Sequence, residues 1–322
     1  MPQPVVLNTA IKPLPVVAPS QTWDGESHPV PPFEVSSGLC QFGIASAIGP
    51  RQRLEDSGFA IGLLGHGALG TPECVLLGLF DGVGGASSGD DASRIGARVC
   101  APHLCAAVCE RLGGSIQPGQ ACEAIRSAIR KASEAVRLHA SLGPGREGAA
   151  TTAVIAMKYE GWAAFGWVGD SRAYLARRGD IERLSTDHTA AERLYEQGRI
   201  DAADLPDHPE AHTLTQWVGG EGPPEVSLGT RSLSQNDTLV LLTDGVHGVL
   251  TDSMIAAIVA NAVSAQEAAD RLVSAALLHG TNDNATAACC RVAPAEEVAH
   301  ADAPIPTTQP SQETRDGSPR NR

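Results

Sequence analysis

The chain has 322 residues, a formal net charge of −13 and 42% hydrophobic residues. That apolar content fills a sizeable core in one large domain or two small ones. The acidic balance excludes nonspecific binding to a phosphate backbone, which needs a basic face, and favours divalent cations instead. No stretch stays apolar for the length of a bilayer span, and the Pro-rich start has no basic segment ahead of an apolar core. The expectation is a cytoplasmic protein without membrane or nucleic-acid partners.

In chain order, residues 1–36 are dense in Pro and lack periodicity, which predicts a disordered arm. Residues 293–322 read the same way, as a disordered tail, and leave 37–292 as the folded domain. The runs FGIASAIG, SGFAIGLLG and ECVLLGLF, each bounded by Gly, Pro or Asp, predict strands. From Asp90 the character turns Ala-rich and helical; in PGQACEAIRSAIRKASEAVRLHAS, Ile125, Ile129, Ala132 and Val136 recur at helical spacing and predict an amphipathic helix on an apolar surface. TTAVIAMKYE, WAAFGWVGD, RAYLARRG and IERLS predict an antiparallel meander. TAAERLYEQG predicts a short helix, and about 200–225 an irregular Pro- and His-rich stretch. DTLVLLT, two helices at DSMIAAIVANAV and AQEAADRLVSAALLHG, and the strand ATAACCRV complete an α+β pattern of antiparallel sheets covered by helices.

The eight cysteines lie in apolar segments and read as buried thiols, not a disulfide framework. Cys289 and Cys290, adjacent in a strand, are expected on opposite faces. Cys100, His103, Cys105 and Cys109 match no common zinc spacing and read as helix packing.

Four apolar strands run into Asp: Asp81, Asp170, Asp244, and Asp283 just ahead of ATAACC. Glu55 and Asp56 precede a fifth. One Asp-Gly at a strand end is ordinary turn chemistry. Several in one chain point to carboxylates gathered at a sheet edge, which would repel unless cations neutralised them. Oxygen ligands favour magnesium or manganese, and two such ions about 4 Å apart make a hydroxide nucleophile at neutral pH. Phosphate-ester hydrolysis fits that apparatus. Asp170 keeps a second reading, as a structural turn satisfied directly by Arg172.

RQRLED at 51–56, LFDGVGG around Asp81, GAATTAV at Thr151 and Thr152, VGDSRAYL at Asp170, LLTDGV at Asp244 and NDNAT at Asp283 together resemble the ordered motifs of the type 2C, or PPM, metal-dependent serine/threonine protein phosphatases. The resemblance runs from about Gln41 to Val292. It implies a four-layer α-β-β-α sandwich, two antiparallel sheets flanked by helices. It also implies hydrolysis of phosphoserine and phosphothreonine by a hydroxide bridging two Mn2+ or Mg2+ ions. Position by position, Asp81 would bridge both ions, Gly82 would ligate through its carbonyl, Asp244 and Asp283 would complete one shell, and Glu55 with Asp56 would serve the other. Arg51 matches the phosphate clamp, in competition with Arg53, and Asp170 a ligand to a third, weaker ion.

The sequence departs from the pattern at three places. Val83 stands where many eukaryotic members have His, as in bacterial members. Gly248 stands where many relatives have an Asp that helps hold the third metal, and Gln216 where an Arg is common. The stretch from His188 to Pro224 matches the family's variable flap, and His188 itself reads as structural. The implied partners are phosphoproteins marked by a serine/threonine kinase, and the chain is expected to be a monomer. A pseudophosphatase that binds phosphoproteins without turnover is the alternative.

Overall fold

The computed structural model describes residues 35–37, 40–63, 74–83, 88–111, 115–142 and 148–292. The arm up to residue 34, the tail from 293, and Gly84 and Gly85 of the LFDGVGG motif lie outside the described residues. The elements are β1 (Val35–Ser37), β2 (Cys40–Ala47), β3 (Ser57–Leu63), β4 (Cys74–Phe80), β5 (Gly82–Val83), α1 (Ser88–Cys109), α2 (Pro118–Ala140), β6 (Ala150–Thr151), β7 (Ala153–Tyr159), β8 (Trp162–Val168), β9 (Arg172–Arg177), β10 (Asp180–Arg183), α3 (Ala190–Glu196), a 3-10 turn (Ala202–Asp204), β11 (Ser227–Ser232), β12 (Thr238–Leu242), α4 (Asp244–His247), α5 (Asp252–Ala260), α6 (Ala265–Leu278) and β13 (Ala285–Val292).

They assemble two antiparallel sheets, ordered β1-β2-β13-β12-β9-β10 and β11-β8-β7-β4-β3, with β5 and β6 as a small separate pair. Strand alternation sorts the side chains into three layers of core. Along β4, Cys74, Leu76 and Phe80 face α1 and α2, while Val75, Leu77 and Leu79 face the other sheet. Along β12, Val240 and Leu242 face α5 and α6, while Leu239 and Leu241 point between the sheets. β4 is therefore buried at every position, and its sequence is a continuous apolar run. Cys289 and Cys290 fall in different core layers, as expected of strand neighbours. The result is the four-layer α-β-β-α sandwich.

Helix ends carry the expected chemistry. Pro118 opens α2 in the first turn, where its missing N–H costs nothing. Thr189, Thr251 and Ser264 cap α3, α5 and α6 by accepting from Glu192, Met254 and Glu267 backbone amides. Among the described residues no helix is long and apolar enough to cross a membrane.

Three elements differ from expectation. The segment TTAVIAMKYE is two strands, β6 and β7, separated at Thr152. The expected meander is interrupted after β8: β7 and β8 pair in one sheet and β9 and β10 in the other. The crossing between sheets is made at Gly169, whose φ of 105° is a conformation other residues avoid. The third difference is β11, which lies just beyond the irregular stretch and forms an edge on β8.

Candidate active site at the acidic end of the two sheets

Strand pairing brings the acidic loops together. In the five-stranded sheet the start of β3 lies opposite the end of β4, Ser57 facing Phe80, and the start of β7 opposite the end of β8, Ala153 facing Val168. Asp56, Asp81 and Asp170 therefore emerge from one edge. In the six-stranded sheet the end of β12 is flanked by the starts of β9 and β13, Leu242 facing Arg172 and Ala287. Asp170, Asp244 and Asp283 emerge there. The links β2–β3 and β8–β9 pass from one sheet to the other at this end and carry Glu55, Asp56 and Asp170, so the two edges face a common space.

The electrostatics report that convergence. Burial first, then the charges of Asp244, Asp56 and Asp170, hold the Asp81 carboxyl well above the usual carboxylate range. Burial and then Asp244 push Asp170 up to about 8. Asp56 is pushed up to about 7, by burial first, against the lowering effect of Thr243 and Thr286. Burial, followed by Asp244, also raises Asp283. Glu55 is raised by burial and pulled back by Arg51.

Local structure holds each acid. The Asp81 amide donates to Thr152 Oγ1 at 3.1 Å, and its carbonyl accepts from Thr151 Oγ1 and the Thr152 amide, both at 2.8 Å. These buried threonines explain the break between β6 and β7. Asp56 Oδ2 accepts from Thr243 Oγ1 at 3.0 Å and Thr286 Oγ1 at 2.6 Å, which ties the first sheet link to β12 and β13. Gly82 donates to the Glu55 carbonyl at 3.2 Å. A side chain at Gly82 would collide with the Gly89 backbone of α1, at 2.4 Å.

The nearby arginines already have partners. Arg172 binds Asp187 in bidentate fashion, with contacts of 2.7 and 3.1 Å, so the reading in which Arg172 satisfies Asp170 does not hold. Arg51 donates to Asp283 Oδ2 at 2.6 Å and to the Asn282 carbonyl at 2.9 Å. Its half-exposed guanidinium faces outward beside the cluster. Arg53 contributes its carbonyl, which accepts from Asn284 Nδ2. Asp244 Oδ1 is buried and has no hydrogen-bond partner among the described residues. A buried, unpartnered carboxylate oxygen within a ring of like charges is costly and suits a divalent cation. The donor set is oxygen-rich, as magnesium and manganese require.

Several contributors carry no clear signal in the sequence. Asn284 accepts from the Glu55 amide at 2.6 Å and donates to the Ile48 and Arg53 carbonyls at 2.7 and 2.9 Å, pinning the 48–55 loop to the start of β13. It lies inside the NDNAT motif, but motif position alone does not reveal that role. His247 Nε2 donates to the Asp170 carbonyl at 3.0 Å, and burial holds its imidazole neutral, down to about 3. His212 approaches Asp170 and Asp244 from the irregular stretch, all three offering ligand atoms within 4.8 Å of one another. His188 is structural: Nδ1 accepts from the Gly169 amide at 3.2 Å, Nε2 contacts Ser227 Oγ at 3.0 Å, and the ring stacks on Trp167. His103 contacts Ser127 and Lys131 and Cys100 is core, which agrees with packing there, whereas Cys105 is half-buried and Cys109 exposed, so not every cysteine is a buried thiol.

A family model described as Protein phosphatase 2C matches residues 52–206. Over those residues the chain is similar to the protein phosphatase 2C family. It is similar to the serine/threonine phosphatase stp of Listeria welshimeri, 28% identical over 64% of this chain and 80% of that one. It is also 28% identical to the Mycobacterium tuberculosis phosphatase PstP over 66% of this chain, a match that spans 39% of PstP. The crystal structure of M. tuberculosis PstP/Ppp superposes with a TM-score of 0.65 at 25% identity, covering 80% of this chain and all of that one. A second structure, the PstP catalytic domain in complex with two manganese ions, covers 80% of this chain and 99% of that one with a TM-score of 0.61 at 25% identity. The chain is a metal-dependent phosphoprotein phosphatase with the α+β sandwich the motifs imply.

Proposed function

We propose that residues 37–292 form the catalytic domain and hydrolyse phosphoserine and phosphothreonine esters of proteins at the acidic end of the sheets. Asp81, Asp244 and Asp283 form the catalytic centre. Asp81, Gly82 through its carbonyl, Asp244, Asp283, Glu55 and Asp56 are the residues that would hold two divalent ions. The observation that carries this reading is the buried, unpartnered Asp244 Oδ1 among carboxylates that raise one another's pKa. Two manganese or magnesium ions, when bound, supply Lewis acidity toward the phosphoryl group and its attacking water.

The chain's own residues do the rest. Arg51 is half exposed at the rim, and its planar fork suits a phosphate dianion. Substrate phosphate competes with Asp283 for that fork. Thr151 and Thr152 fix the Asp81 backbone, and Thr243 and Thr286 fix Asp56 Oδ2, so the carboxylates are aimed by rigid strands. Val83 offers no proton, so the leaving alkoxide takes its proton from water. The substrates are products of a serine/threonine kinase, and the chain acts as a cytoplasmic monomer.

The test is release of phosphate from a phosphothreonine peptide with and without manganese. Activity should require the metal and disappear in Asp244→Asn; activity that survives chelation contradicts the reading. A pseudophosphatase would bind the peptide without releasing phosphate. The sequence retains every motif carboxylate of the two-ion site, which favours turnover.

A further inference from the structure

We propose that His212 is a ligand to an additional cation held with Asp170 and Asp244, so that one ion fastens the 200–225 segment to the active site. The inference rests on the phosphatase reading above, because Asp244 is shared with that site. A nitrogen of His212 and one oxygen from each carboxylate lie within 4.8 Å of one another. Two ligands about 2.1 Å from one ion sit about 3 Å apart when adjacent and about 4.2 Å apart when opposite, so small movements close this set on a cation.

Three observations favour a ligand over a chance neighbour. Among the described residues His212 makes no hydrogen bond or ion pair with either carboxylate, although its ligand nitrogen lies within 4.8 Å of an oxygen of each. Asp170 is only 7% exposed, no other described residue donates to its carboxylate, and Arg172 is committed to Asp187. Asp244 offers a buried oxygen without a partner. The backbone around His212 is held in place: the Glu210 and Thr213 carbonyls accept from the Ala191 and Ala190 amides of α3, and the Thr215 amide donates to the His188 carbonyl at 2.8 Å. His212 is thus presented by an anchored loop.

Gly248 removes the carboxylate that the family pattern supplies for a third ion, and His212 replaces it from a different element. The replacement changes the chemistry, since an imidazole with two carboxylates suits manganese better than magnesium.

Equilibrium dialysis of the full chain against Mn2+, with metal counted per chain, tests this alongside electron spin-echo spectra of the bound manganese. The wild type should bind three ions and show nitrogen coupling from an imidazole. His212→Ala should keep two ions, weaken the third at least about tenfold and lose the coupling. His212→Asp should restore the third ion without the coupling. Three ions in both wild type and His212→Ala, or two in both without nitrogen coupling, would overturn the assignment while leaving the two-ion site standing. A wild type that binds no manganese would overturn both readings.

Discussion

Asp56 is almost fully buried, yet among the described residues its side-chain partners are two threonine hydroxyls. Neutral donors do not offset the burial of a charge, so its carboxyl is pushed up to about 7, and Asp170 to about 8. An unfolded Asp titrates near 3.9. Between these values the folded, metal-free protein holds protons that the unfolded chain has released, so stability falls as pH rises. The melting temperature of chelated protein should therefore decline from about pH 4 to about pH 8, and saturating Mn2+ should flatten that slope. A metal-free protein with no such decline would show that the carboxylates are not crowded as described. Arg51 acts on substrate: charge-assisted hydrogen bonds are worth about 1.5–3 kcal/mol, so Arg51→Ala should raise KM for a phosphopeptide on the order of tenfold or more, with a smaller change in kcat. Steady-state kinetics decide between this and a purely structural role.

At the scale of elements, the site depends on the two links that pass between sheets. Asn284 holds the first through hydrogen bonds to Glu55, Ile48 and Arg53. Asn284→Ala removes three hydrogen bonds to partly exposed backbone groups, worth about 0.5–1.5 kcal/mol each, and should lower both the melting temperature and the affinity for metal. Gly169 makes the second link in a left-handed conformation, and a Cβ there would meet the Thr152 side chain at 2.7 Å. Gly169→Ala should cost more than about 1 kcal/mol and should also impair turnover, because Thr152 and Asp170 move with it. Ile125→Ala, in the core between α2 and the five-stranded sheet, should cost about 2–5 kcal/mol and leave the number of bound ions unchanged. Calorimetry with metal counting separates the two classes; equal metal loss in Ile125→Ala would contradict this division.

The same contrast decides what was legible in the sequence. β4, β7 and β12 are read directly because their neighbours on both faces are apolar. The motif acids are read because strand-end Asp followed by Gly or Ser stands out against those runs. The meander expectation fails at Asp170, since local periodicity is the same whether β9 joins the sheet of β8 or the other one. β11 is missed because SLGTRS is half exposed and weakly patterned. Asn284, His247 and His212 are invisible for a further reason: each acts through a partner remote in sequence, and only the fold makes them neighbours.

For the whole molecule, two separately packed halves, each a sheet with its helices, meet along a shared core and end in one acidic rim. Cations that bind the folded rim and not the unfolded chain stabilise by mass action, about 2.7 kcal/mol per site at a hundredfold excess over Kd. The most direct test of the central claim is phosphate release from a phosphothreonine peptide as Mn2+ is titrated into chelated protein, for the wild type and Asp244→Asn. The wild type should gain activity as it binds metal, and Asp244→Asn should stay at least about a hundredfold lower at every concentration. Turnover by chelated wild type, or an Asp244→Asn titration that overlays it, would contradict the assignment.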